Sequence, residues 1–251
     1  SWFVKRCGLA GARILRVPRP SDYAAQAAMY VPEDFPSPSD PRHGSAVAAL
    51  VANAAMSLSG RTLVLTTTLR AIAIIAQVLR QQLAQRGSHL DVLAQGEWPK
   101  LRLMERFRAG AGPQGGCILV ASASFWEGFD VPGDALQLVV IDKLPFPPPG
   151  DPLVEARTLQ IEQSGGSAFK EYALAEAAVA LKQGAGRLIR HESDRGVLVV
   201  CDSRLVRMGY GKRLIAALPP MRRLSGAEEF HAALEDLASV TRTSTTDQTF
   251  L

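Results

Sequence analysis

Cysteine is scarce in this chain of 251 residues: there are three, Cys7, Cys117 and Cys201, and no two form a CxxC pair. That count and spacing exclude a disulfide framework and encode neither a zinc nor an iron–sulfur site within the chain, and they match the usage of a reducing compartment. Cys117 and Cys201 sit in apolar runs, where a small core residue is the ordinary reading. Long hydrophobic stretches are also lacking, since no charge-free apolar run approaches the roughly 18 residues of a membrane-spanning helix. The first fifteen residues mix Lys5, Arg6 and Arg13 into apolar sequence, unlike the order of a signal peptide, and the chain opens on Ser1. A piece of a longer polypeptide is expected. His43, His89, His191 and His231 share no metal-ligand spacing and are read as surface residues, so no metal site is expected.

What is present reads as a soluble globular chain of one large domain or two small ones, 47% hydrophobic with mean hydropathy near zero. The formal net charge of +4 permits an anionic partner. One stretch stands out: Gln183-Gly184-Ala185-Gly186-Arg187-Leu188-Ile189-Arg190. Spacings of four and three put Gln183, Arg187 and Arg190 on one helix face. Two guanidinium forks one turn apart suit a polyphosphate, because arginine stays charged and grips planar oxyanions in two-pronged fashion. Two glycines inside a helix lower its stability by roughly 1 kcal/mol each, which makes sense if something approaches the backbone closely. An amphipathic helix with exposed arginines fits the same spacing.

Along the chain, Asp22 or Ser21 is expected to cap a short helix through Ala28, after a short apolar piece at Ile14–Val17. Prolines at 32, 36, 38 and 41 make the next stretch an extended connector. Periodicity predicts helices over 45–57, 69–86 and 99–109, with Ile72, Ile75, Leu79 and Leu83 as the buried stripe of the second. Apolar runs predict strands at 61–68, 90–93, 117–121, 136–141 and 196–201, and a long helix ends at Arg190. Strands alternating with helices imply an α/β fold with a mostly parallel sheet buried on both faces, whose function collects beyond the carboxyl ends of the strands. Ser225, with Glu228 three residues on, has capping-box spacing for a closing helix to about Leu237. One domain is expected over 1–240. Thr241 to Leu251 reads as a flexible tail, with Phe250-Leu251 as a short peptide that could dock a protein partner.

Glu127-Gly128-Phe129-Asp130, Leu144-Pro145-Phe146-Pro147, Gln183 to Arg190 and Asp202-Ser203-Arg204, in that order, resemble the second motor domain of the DinG/YoaA family. Those are bacterial superfamily 2 DNA helicases related to XPD. The resemblance runs from about Trp2 to Leu237 and includes Asp22-Tyr23-Ala24-Ala25-Gln26 and the threonine tip Thr66 to Thr68. It implies a RecA-like (P-loop NTPase-type) domain that completes an ATPase site with a first motor domain and moves 5′ to 3′ on single-stranded DNA. Gln183 would approach the γ-phosphate or attacking water, and Arg187 and Arg190 would act as arginine fingers. Gly128, Asp130 and Gly186 would line the nucleotide, with Glu127 linking nucleotide state to the DNA groove. Thr67, Thr68, Arg70 and Ser124 would touch DNA, and Lys143 with its proline run would wall the groove. ATP with Mg2+ is implied as shared, held mostly by the absent first domain, and a 4Fe-4S cluster only in a full-length protein. The implied location is cytoplasmic, at the nucleoid.

Other readings of these residues stay open. Thr66 to Thr68 suit a strand as β-branched residues, Glu127 and Asp130 suit loop caps, and Phe125 and Trp126 suit packing under the loop. Asp202 and Arg204 could form a structural ion pair bracing the helix before Arg190, and the basic helix at 102–108 a solvated face. The chain also departs from a whole motor: it has no GxxxxGK[ST] loop and no Asp-Glu-x-His box, so alone it is expected to be inactive. A docking module that kept the fold and lost the motor, or an RNA-directed helicase, are the rival functions.

Overall fold

A computed structural model describes residues 22–110, 116–122, 125, 131 and 135–247, with backbone alone over 241–247. Ile14–Val17, Trp126 and the Phe250-Leu251 pair lie outside them. The described elements are α1 (Tyr23–Gln26), β1 (Ala27–Tyr30), α2 (His43–Ser57), β2 (Thr62–Thr66), α3 (Leu69–Gln85), β3 (Asp91–Ala94), α4 (Lys100–Arg108), β4 (Cys117–Ser122), β5 (Leu138–Ile141) and α5 (Pro152–Gln163). A π-helical turn (Phe169–Ala173) leads into α6 (Leu174–Ala185), followed by β6 (Gly196–Val200), α7 (Arg204–Arg207), α8 (Gly211–Ala217), β7 (Arg222–Leu224) and α9 (Ala227–Asp247). The strands form one sheet in the order β3-β4-β2-β5-β6-β1-β7, and every pairing is parallel.

Two apolar layers bury that sheet, which is why its central strands are unbroken apolar runs rather than alternating ones. Along β2, Leu63 and Leu65 pack with α4, α6 and α8 on one face. Val64 between them packs with α2, α3 and α9 on the other. The expected stripe Ile72, Ile75, Leu79 and Leu83 is buried as the period of α3 requires, and Gly87 closes that helix at φ +66°. Gly60 turns the chain from α2 into β2 at φ +89°, where a Cβ would stand 2.5 Å from the Cys117 nitrogen. Cys117 and Cys201 are buried thiols; burial pushes Cys117 up to about 12 and Cys201 likewise upward.

Four expectations change. The Asp22 cap is real, its carboxylate accepting the Ala25 N–H at 3.3 Å, but the helix lasts one turn. Ala27 to Tyr30 instead enter the sheet between β6 and β7, all four buried, so tertiary burial overrides the helix preference of alanine. His43 is buried rather than superficial. At the closing helix the carboxylate that bonds the Ser225 N–H, at 2.9 Å, belongs to Glu229 and not Glu228, because the helix starts at Ala227 and Glu229 is its third residue. The helix runs ten residues past Leu237, to Asp247.

Candidate functional site

Because all strands are parallel, the loops leaving β2, β5 and β6 emerge at one edge of the sheet. After β2, Thr66 is buried and its hydroxyl donates to the Thr68 carbonyl at 3.0 Å. Thr68 is exposed in extended backbone, and its hydroxyl oxygen accepts the Ala71 N–H at 3.2 Å, so it caps α3. Thr67 is half-buried and Arg70 exposed in the same turn. At the neighbouring strand end Gln95 accepts both the backbone N–H and the hydroxyl of Ser122, at 2.8 and 2.9 Å, which fixes the exit of β4.

Beyond β5 and β6 lies a buried polar cluster. Asp202 is fully buried; it accepts the Leu144 N–H at 2.9 Å and pairs with Arg204 at 2.7 Å. Burial pushes its carboxyl up, but the hydrogen bonds from Arg204 and Leu144 outweigh that and hold it below the usual range. The ion pair read from sequence is therefore present, and what it fixes is the Leu144 loop. Asp142, 2% exposed, accepts the Lys143 N–H at 2.7 Å, and burial pushes its carboxyl up to about 6. Its carbonyl oxygen lies 2.8 Å from His43 Nε2, while His43 Nδ1 lies 2.8 Å from the Pro36 carbonyl. His43 thus ties the proline connector to the loop that carries half-buried Lys143.

The stretch Gln183 to Arg190 does not form one helix face. The helix stops at Ala185, Gly186 caps it, and Arg187 and Leu188 donate only three residues back, to Gly184 and Ala185, at 3.2 and 3.1 Å. Leu188 and Ile189 are buried, and drawing them inward ends the 3.6-residue period before Arg190. Gln183 is exposed, and Arg187 and Arg190 are half-buried. The close approach invited by Gly184 is to the sheet: a Cβ there would lie 3.0 Å from Leu65 Cδ1 and 3.5 Å from Ile141 Cδ1, near the carboxyl ends of β2 and β5. Leu188 reaches the opposite edge, where its Cδ1 fills the place a Cβ would take on Gly196, the first residue of β6.

The arginine segment therefore descends the sheet, away from the carboxyl-edge loops with which the sequence grouped it. Asp194, 5% exposed, accepts the Arg190 and His191 N–H groups at 2.8 and 2.9 Å. Tyr23 donates to the Ile189 carbonyl at 3.3 Å, and Gln26 donates to the carbonyls of His191, Glu192 and Asp194. Sequence reasoning missed Asp194, and quoted Gln26 only as part of a longer stretch. Ser124, Glu127, Gly128 and Asp130 lie outside the described residues. Phe125 itself is buried, with Lys100 Nζ 5.2 Å above its ring, as a packing residue is.

A family profile described as Helicase C-terminal domain matches residues 51–221. The ATP-dependent DNA helicase YoaA of Escherichia coli is 42% identical over 88% of this chain and 33% of its own length. The ATP-dependent helicase DinG of Mycobacterium tuberculosis is 38% identical over 90% of this chain and 33% of its own. The chain thus spans about a third of the length of the curated relatives it matches. A solved apo XPD structure is similar over 79% of this chain and 40% of its own, with TM-score 0.60 at 17% identity, a likeness of fold.

Proposed function

Given that this chain belongs to the helicase C-terminal domain family, we propose that it is the second motor half of an ATP-dependent DNA helicase that moves 5′ to 3′ on single-stranded DNA. The observation that carries this reading is the end of α6: exposed Gln183 and half-buried Arg187 and Arg190 follow one another on a segment pinned to the sheet at Gly184 and to Asp194 at Arg190. Gln183 approaches the γ-phosphate or the attacking water. Arg187 and Arg190 neutralise charge on the transferred phosphoryl group, a role worth on the order of 10³ to 10⁵ in rate elsewhere. Glu127, Gly128, Asp130 and Gly186 complete the nucleotide side.

DNA runs at the carboxyl edge, against Thr67, Thr68, Arg70, Ser124 and Lys143. Since the chain has no GxxxxGK[ST] loop or Asp-Glu-x-His box, the phosphates and magnesium are held mainly by a first motor domain, and this chain alone does not turn over ATP. Three cysteines, two of them buried on or beside separate strands, do not fit a four-thiolate cluster, so an iron–sulfur cluster belongs on this reading to the rest of the polypeptide. The motor works in the cytoplasm at the nucleoid.

The test is ATP turnover by the complete gene product, with and without single-stranded DNA, for wild type, Arg187→Ala and Arg190→Ala. DNA-stimulated turnover falls by on the order of 10³ while DNA binding persists. Unchanged turnover would remove the finger assignment, and stimulation by RNA strands alone would move the substrate to RNA.

A further inference from the structure

We propose that Gln26 is a positioning residue for Arg190, clamping the loop that follows it to the sheet; the proposal rests on the reading of Arg187 and Arg190 as fingers. Its Nε2 lies 2.8 Å from the His191 carbonyl oxygen, 2.9 Å from that of Glu192 and 3.0 Å from that of Asp194. Carbonyl oxygens only accept, so the amide nitrogen must face them and the flipped amide is excluded. Two N–H groups serve three acceptors, and the loop from His191 to Asp194 closes around one side chain.

Inside the same loop the Asp194 carboxylate collects the Arg190 and His191 N–H groups. Gln26 gathers carbonyls and Asp194 gathers amides, so both hydrogen-bonding sides of the loop are fixed. The clamp is itself anchored. Gln26 immediately precedes Ala27, which pairs with Gly196 across parallel β1 and β6, and Tyr23 in the same turn of helix holds the Ile189 carbonyl. More than 160 residues of chain separate the two sides, with separations of 165, 166 and 168 for the three amide contacts. The loop's own residues His191, Glu192 and Ser193 are exposed, so core packing does not set its shape. The hydrogen bonds of Gln26 from α1 and of Asp194 within the loop do. A finger that must meet a phosphoryl group within a fraction of an ångström gains from such a clamp, because a misplacement of about 1 Å costs roughly 10²-fold in rate.

The experiment compares Gln26→Ala and Gln26→Glu with Arg190→Ala in the complete gene product. Amide hydrogen exchange is followed over 189–195, with kcat and KM for ATP in the presence of single-stranded DNA. In Gln26→Ala, exchange over 189–195 rises while that of α6 holds, kcat falls on the order of 10- to 100-fold and KM stays within about twofold. Gln26→Glu goes further, since a carboxylate facing carbonyl oxygens repels them. Unchanged exchange in both variants would show that there is no clamp. Faster exchange with unchanged kcat, while Arg190→Ala abolishes turnover, would leave the finger reading intact and end the positioning role. If Arg190→Ala itself leaves kcat untouched, the finger reading fails and the positioning role with it, and exchange alone then reports on the clamp.

Discussion

Asp202 accepts the backbone N–H of Leu144 at 2.9 Å across 58 residues of sequence, and so ties the loop leaving β5 to the loop leaving β6. The same fully buried carboxylate accepts from the Arg204 backbone and guanidinium, at 3.1 and 2.7 Å. Truncating it removes the partner of a buried backbone donor and leaves a partly exposed guanidinium unpaired. Asp202→Ala should therefore lower stability by about 2–3 kcal/mol in urea unfolding. Asp202→Asn keeps an acceptor for Leu144 and should lose less. Equal losses would mean that the charge pair, not the loop tie, dominates.

Asp142 predicts a pH dependence of opposite sign to ordinary acid denaturation. Its folded carboxyl sits at about 6 against an ordinary 3.8, mainly through burial, so the folded state binds this proton more tightly than the unfolded chain. The stability it contributes is fully present below about pH 4 and lost as pH rises through 6. The difference between 3.8 and about 6 corresponds to about 3 kcal/mol. Asp142→Asn should raise stability at pH 7.5 and flatten the dependence between pH 4.5 and 7.5. A wild-type slope in that variant would assign the effect to another group.

Glu229 and Glu228 offer a neighbour control. Both are exposed residues in the first turn of α9, but only Glu229 takes the Ser225 N–H, and those hydrogen bonds hold its carboxyl below the usual range. Thermal unfolding should show a lower midpoint for Glu229→Ala and none for Glu228→Ala. The reverse would restore the spacing read from sequence.

Elements whose burial is written in their own residues were legible. The continuous apolar runs of β2, β4, β5 and β6 and the 3.6-residue stripe of α3 lie within a residue or two of where sequence puts them. Ala27–Tyr30 was not legible, because its alanines favour helix and only β6 and β7 make it a strand. Nor was the break after Ala185: the spacing of Gln183, Arg187 and Arg190 obeys helix periodicity, whereas Leu188 and Ile189 turn into the core, Leu188 against Gly196 at the amino end of β6. His43 escaped because both its partners are backbone carbonyls, which leave no mark in sequence.

Gly184 separates packing from propensity at the point where α6 meets the sheet. Replacing it by alanine recovers roughly 1 kcal/mol of helix propensity, offset by a Cβ 3.0 Å from a Leu65 methyl that can yield a few tenths of an ångström. Stability of Gly184→Ala should stay close to wild type. Gly184→Val adds branches toward both Leu65 and Ile141, and overpacking of this kind costs about 1–3 kcal/mol. Because the Gly184 carbonyl also holds the Arg187 N–H, the valine that lifts α6 off β2 and β5 moves Arg187 with it. In the complete gene product the valine variant should then lose kcat beyond what its unfolding midpoint explains at the assay temperature, while the alanine variant keeps it. A valine variant as stable and as active as wild type would mean that α6 does not rest on the strand ends through this residue, and that the arginines owe their place to the loop beyond it.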